Sequence, residues 1–140
     1  MPPNERSTIG FTFCCKNAGD PGATGTYDFA MAIECIHDMS DPISALSSMR
    51  RLVGTGGTVM IADERAPEEY AAPGDDLLRF FYGASVLHCL PVGMVDEHSA
   101  ATGTVIREST MHDYVERAGF AGIEALPIEH MFFRIYRLTA

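Results

Sequence analysis

The sequence predicts an α/β domain: parallel strands with helices packed on the sheet, closed at the C-terminus by a pair of antiparallel strands. Three observations carry this. An apolar run over 29–36, FAMAIECI, leads into an amphipathic helical stretch, a glycine turn and a β-branched run over 58–63, TVMIAD. That order is a strand–helix–strand crossover, which makes its two strands parallel neighbours. A second helical pattern over 109–118 then precedes two strand-like segments, 122–126 and 131–138, whose short connection 127–130 makes them antiparallel.

Residues 1–8, with two prolines and little to pack, are expected to form a flexible arm. IGFTFCC over 9–15 is short, aromatic and β-branched, and predicts a strand. NAGDPGATG is a loop by composition. The run 29–36 has the near-continuous apolar character of a strand buried on both faces, interrupted by Glu34. Asp41 and Pro42 then supply a helix start, a side chain that accepts from first-turn amides and a residue that needs no N–H. Ile43, Leu46, Met49 and Val53 form one stripe, Ser44, Ser47, Ser48 and Arg51 the opposite side, and Gly54 ends the helix. After a charged loop, Asp75 or Asp76 caps a helix running to about His88, apolar nearly all round and so in need of cover on more than one side. In the last helix Ser109 is the expected cap, Met111, Tyr114, Val115 and Ala118 the buried stripe, and Gly119 the stop.

Composition narrows the function classes. With 10 Lys+Arg against 19 Asp+Glu the 140-residue chain carries a net charge of -9. It would repel phosphate backbones, so no nucleic-acid partner is expected. The chain has no run of about 18 apolar residues and no secretory leader pattern, so the expectation is a soluble cytoplasmic protein without a membrane partner. Cys14, Cys15, Cys35 and Cys89 sit in apolar contexts without CxxC spacing and are expected to be reduced, mostly buried thiols. His88, Cys89, His98, His112 and His130 share no spacing that would fix metal ligands on one face, so no metal site is expected. Ser47 and Ser48 lie on a polar helix face with no partner histidine, so no hydrolase triad is supported.

The phrase YDFAMAIECIHDMSDPISALSSMRRLVGTGGTVMIADE resembles the stretch from the fourth to the fifth strand of class I S-adenosylmethionine-dependent methyltransferases. An aspartate opens the strand, a helix follows, and a Gly-Gly turn enters the next strand. Lys16-Asn17-Ala18 resembles that family's segment after the third strand, and GFAGIEALPIEHMFFRIYRL its closing antiparallel pair. The resemblance covers about residues 9–140 and implies the C-terminal half of a Rossmann-like methyltransferase fold. The family's glycine-rich loop after a first strand, and its acidic residue at the end of a second, have no counterpart in this sequence. Residues 9–140 therefore read as a truncated methyltransferase-like α/β domain.

By the same resemblance, Asn17 and Ala18 approach the adenine ring of the cofactor, and Glu34 and Cys35 lie on its side of the strand end. Glu34 and His37 stand nearest the methyl-transfer site, Glu34 as a base or amine ligand and His37 as the group that deprotonates an acceptor hydroxyl. Tyr82, His88 and His130 fall where the acceptor pocket is lined. The function implied is a methyltransferase-like protein for a small-molecule acceptor, with S-adenosylmethionine bound weakly or not at all and weak or no activity alone. The alternative is a non-catalytic dimerising or interaction module derived from a methyltransferase. In either case a homodimer is expected, through the exposed sheet edge and helix 77–87, with 9–15 laid against 29–36 in cis or swapped between copies.

Overall fold

A computed structural model describes residues 5–8, 10–20, 22, 23 and 25–140. The crossover forms as expected. Strand β3 (Phe29–Ile33), helix α1 (Pro42–Val53) and strand β4 (Thr58–Glu64) make a parallel unit in which Phe29 pairs with Thr58 and Ile33 with Ala62. The last two strands, β5 (Gly122–Ala125) and β6 (Phe133–Thr139), are antiparallel, and β6 inserts beside β4 to give the order β3-β4-β6-β5.

Local chemistry explains these boundaries. Asp41 Oδ1 accepts from the Ser44 amide at 2.9 Å, with Pro42 in the first turn. Gly54 ends α1 at φ 60°. Gly57 is needed for space, since a Cβ there would lie 2.6 Å from Val53 Cβ and 2.9 Å from the Tyr27 carbonyl oxygen. Gly57→Ala is therefore expected to destabilise the chain by about 2 kcal/mol, measured as a lowered urea midpoint at unchanged slope.

Helices α1 and α4 (Glu108–Arg117) cover one face of the sheet. Val59 and Ile61 of β4, Tyr136 and Leu138 of β6, Leu46 and Val53 of α1, and Met111 and Val115 of α4 form the core. Ser48, expected on the polar side of α1, is instead buried and donates to the Asp20 carbonyl, because the loop before β3 folds over that side of the helix. The capping expectation for α4 also fails. Arg107 is its N-cap, and the Ser109 amide is taken by Glu68 Oε1 at 3.0 Å.

Other differences concern the chain's open edges. The strand expected over 29–36 stops at Ile33, because Glu34 adopts φ 52° and 36–38 wind into a 3-10 turn (Ile36–Asp38). It is not buried on both faces. β3 is an edge strand, and Phe29, Met31 and Ile33 are 47, 48 and 51% exposed. The expected 9–15 strand is β2 (Phe11–Cys14), which pairs antiparallel with β1 (Glu5–Thr8) and does not join β3 in cis. The arm expected over 1–8 is thus a strand over its second half. Hairpin pairing needs only backbone groups and a turn residue such as Gly10 at φ 82°. Residues 1–4 and Ile9 lie outside the described residues.

The expected helix to His88 is α2 (Asp76–Ala84), capped by Asp75, followed by a π-helical turn (Ser85–Cys89) and the short α3 (Leu90–Gly93). Its apolar surface is covered on one side only, where Leu78 and Phe81 are buried, while Phe80 and, in the following turn, Leu87 remain exposed. Of the cysteines, Cys89 is buried, Cys35 is half-buried, and Cys14 and Cys15 are exposed. The hairpin that carries Cys14 lies outside the core, so apolar neighbours in sequence do not bury its thiol.

Candidate functional site

Parallel pairing of β3 and β4 sets their C-terminal ends side by side, the position at which open α/β sheets form their sites. The 3-10 turn after β3 projects His37 across that end onto the last two residues of β4. His37 Nδ1 lies 2.6 Å from Asp63 Oδ1 and 2.8 Å from Glu64 Oε2. The side chains of His37, Asp63 and Glu64 are 2, 0 and 5% exposed, so the cluster is dry. Nε2 points the other way, 3.2 Å from Asp38 Oδ1. The π turn brings Cys89 to the same side, and one ligand-type atom from each of His37, Asp38 and Cys89 lies within 4.8 Å of the others.

Burial alone would lower the basicity of His37, yet hydrogen bonds and charge from Asp63 and Glu64 outweigh it and push its pKa up to about 11. Burial acts on both carboxyls as well. It raises Glu64 to about 7, with the adjacent Asp63 adding to the rise and His37 opposing it. Asp63 is held below the usual carboxylate range because hydrogen bonds from His37 and Glu64 overcome its desolvation. Asp63 Oδ2 and Glu64 Oε2 are buried and have no hydrogen-bond partner among the described residues.

Two residues after His37, a cavity of about 320 Å³ opens between the loop before β3 and the start of α1. Asn17, Ala18 and Gly19 line one side, and Met39, Ser40 and Asp41 the other, with Asp96 at its margin. Segment 93–103 is tied down across the site. Ser40 Oγ donates to the Gly93 carbonyl at 2.8 Å, and the His37 carbonyl accepts from the Gly103 amide at 3.1 Å.

The residues singled out from sequence fall into separate places. His37 is at the strand end, and Asn17 and Ala18 line the adjoining cavity. Cys35 is half-buried and faces the apolar groove beside β3, and burial pushes its thiol up. Glu34 shares the strand end, but its side chain is exposed, and among the described residues its amide, not its carboxylate, is hydrogen-bonded, donating to the Ala62 carbonyl at 2.8 Å. Tyr82, His88 and His130 are not joined to His37 or to one another by any hydrogen bond, ion pair or ring contact among the described residues. Tyr82 packs on Tyr70, His88 is exposed, and His130 Nδ1 accepts from the Phe132 and Phe133 amides. Asp63, Glu64, Met39 and Cys89 were not placed at the site by sequence reasoning. The adjacent acids closing the second of two parallel strands were the available signal.

No helix among the described residues is long and apolar enough to cross a membrane. A comparison with curated proteins found no match. Solved structures do match in fold. TnmH is 18% identical over 89% of this chain with a TM-score of 0.63, and an O-methyltransferase family protein from Burkholderia thailandensis is 17% identical over 89% with a TM-score of 0.60. NcsB1, an O-methyltransferase of neocarzinostatin biosynthesis solved with S-adenosyl-L-homocysteine and 1,4-dihydroxy-2-naphthoic acid, is 20% identical over 89% with a TM-score of 0.56. This chain spans about a third of the length of each, 33, 34 and 32% respectively. The family model described as "Methyltransferase domain" matches residues 5–125, and the chain belongs to that family.

Proposed function

We propose that this chain carries the acceptor-activating part of an S-adenosylmethionine-dependent O-methyl transfer to a small molecule, and that His37 acts on the acceptor hydroxyl. The observation that supports this most is the His37–Asp63 contact of 2.6 Å in a buried strand-end cluster. Asp63 and Glu64 orient the ring through Nδ1 and favour its protonated form, so Nε2, which lies 3.2 Å from Asp38 Oδ1, is the donor that an acceptor oxygen would take over by displacing this contact. An imidazolium there holds the acceptor as its oxyanion, with the hydroxyl proton released to solvent. The cofactor, when bound, supplies the electrophilic methyl group. With that group bound, His37 would hold the acceptor oxygen, and methyl transfer to it would yield a methyl ether and S-adenosylhomocysteine.

The residues present fit one end of that cofactor. The cavity beside Asn17, Ala18 and Met39 has the size for an adenine and polar groups to meet its ring nitrogens, and Cys35 lines the groove that shares Ala18 and Met39 with it. The acidic residue and glycine loop that would hold the ribose and amino-acid end have no counterpart in the sequence. Each missing charge-assisted hydrogen bond forfeits about 1.5 to 3 kcal/mol, so affinity is expected to be millimolar or weaker and activity alone weak or nil. Calorimetry with S-adenosylhomocysteine tests this, and micromolar binding by the chain overturns it. His37→Asn should abolish whatever methylation of a phenolic probe the chain supports. A rate unchanged by that substitution removes His37 from the reaction.

The second reading, an interaction module, is favoured by the uncovered apolar surface along β3 and on α2. It predicts a homodimer formed through the β3 edge and the exposed side of helix 77–87, where Leu87 is 83% exposed.

A further inference from the structure

The strand-end cluster has two sides, and they differ in what fits between their atoms. On one side His37 Nδ1 lies 2.6 Å from Asp63 Oδ1 and 2.8 Å from Glu64 Oε2. Nitrogen and oxygen ligands held at about 2.0 to 2.1 Å on one tetrahedral cation stand about 3.3 Å apart, so that side has room for a proton and none for a metal. On the other side Nε2 and Asp38 Oδ1 are 3.2 Å apart. Oδ1 is nonetheless buried without a hydrogen-bond partner, so the two atoms are close without being aligned on each other. Cys89 supplies a third corner: one ligand-type atom from each of His37, Asp38 and Cys89 lies within 4.8 Å of the others. A sulfur on the same cation would stand about 3.6 Å from the nitrogen, so Cys89 has little more than about 1 Å to travel.

We propose that His37, Asp38 and Cys89 form a site for a thiophilic divalent cation, zinc, bound through His37 Nε2, an Asp38 carboxylate oxygen and the Cys89 thiolate, with a fourth position for water. The site stands apart from the methyl-transfer reading and places a control on it, because zinc and an acceptor oxygen claim the same nitrogen.

The donor set selects the ion. Sulfur, imidazole and carboxylate together suit zinc, whereas magnesium and calcium take oxygen ligands. Charge agrees, since thiolate and carboxylate cancel the charge of the cation where His37 and Cys89 are 2 and 8% exposed. The Asp38 side chain, 29% exposed, marks the side by which ion and water enter. Behind the imidazole, Asp63 Oδ1 takes the Nδ1 proton at 2.6 Å, which turns Nε2 toward the ion and strengthens it as a ligand. The Nε2 proton and the thiol proton of Cys89 pass to solvent as the ion binds.

Two irregular turns deliver the donors, the 3-10 turn Ile36–Asp38 and the π turn Ser85–Cys89, and π turns are frequent at functional sites. Their continuations are tied together by Ser40 Oγ, which donates to the Gly93 carbonyl at 2.8 Å. All three donors come from this chain, so the site needs no segment outside it.

The test is titration of the full chain with zinc chloride, by calorimetry in a Cys14→Ser/Cys15→Ser background that removes the two exposed thiols. One ion per chain is expected to bind at micromolar or tighter affinity. Cobalt(II) in place of zinc should give a thiolate-to-cobalt charge-transfer band together with the visible bands of a tetrahedral ion, and this spectrum of the parent decides thiolate ligation without any variant. Cys89→Ser should abolish the charge-transfer band and weaken zinc by more than about a hundredfold, Asp38→Asn by at least about tenfold, and Cys35→Ser should change neither. A parent that binds no zinc below millimolar concentration, or binds cobalt without the charge-transfer band, overturns the site. Affinity unchanged in Cys89→Ser, or a band lost in Cys35→Ser instead, means an adventitious ion only and overturns it as well. None of these measurements uses a cofactor or an acceptor, so their failure leaves the methyl-transfer reading to its own test with His37→Asn.

Discussion

Replacing Asp63 by alanine is expected to destabilise the chain by about 3 to 5 kcal/mol, while replacing His37 and Asp63 together by leucine should cost less than that single change. The reason lies in how the cluster is buried. His37 and Asp63 are 2 and 0% exposed, so removing the carboxylate strands an imidazole whose basicity depends on it. Glu64, 2.8 Å from the same nitrogen, compensates in part by ionising, but only by giving up the proton that burial favours it to keep. Removing both partners of the 2.6 Å contact removes the desolvation cost together with the attraction, and Glu64 can then remain neutral. Urea unfolding of Asp63→Ala beside the double variant tests the ranking, and the two single leucine variants complete the cycle that gives the coupling energy. A double variant as unstable as the sum of its singles would show that packing, not the ion pair, holds this end of the sheet.

That cluster also marks where the sequence could be read and where it could not. The strand–helix–strand unit was legible because each boundary has a local cause: the Asp41 carboxylate on the Ser44 amide, Pro42 in the first turn, Gly54 at positive φ and Gly57 packed against Val53. The closing β5–β6 pair was legible from its short connection. His37 was found because it follows an apolar strand. Its partners were not, because Asp63 and Glu64 lie 26 and 27 residues away and meet it only through the register of two parallel strands. The end of β3 was misread for a related reason. Apolar residues continue through Ile36, and nothing in FAMAIECI announces that Glu34 turns to φ 52° and swings the next three residues across the sheet end. Burial on both faces was inferred from composition alone, and composition does not say whether a neighbouring strand exists. Cys14 and Cys15 mislead in the same way, apolar in context yet exposed, since context becomes burial only when the segment joins a core.

Stability is expected to be greatest near pH 4 to 5 and to fall as the solution is made neutral, the opposite of the usual acid-labile pattern. Glu64 ionises near 4.5 when unfolded and at about 7 when folded. Between those values the folded chain keeps a proton that the unfolded chain has released, so the folded state loses stability with each step up in pH. Integrated over that window the loss is about 3 kcal/mol. His37 acts in the same direction at higher pH, because its folded value of about 11 lies above the 6.5 of the free side chain. Its stabilisation is complete below 6.5 and is withdrawn as pH rises toward 11. Asp63 has the opposite sign. Its folded pKa is depressed, so its contribution is present above the free value of 3.8 and disappears in stronger acid, which sets the lower boundary of the stable range. Glu64→Gln separates these effects, since the amide cannot ionise. The variant should show a flat profile from pH 4.5 to about 6 and retain the decline that His37 imposes above 6.5. Urea midpoints at half-unit pH intervals decide the matter: a parent chain whose stability rises from pH 4.5 to 7 would mean that Glu64 is ionised in the fold and that His37 is paired with two charged carboxylates.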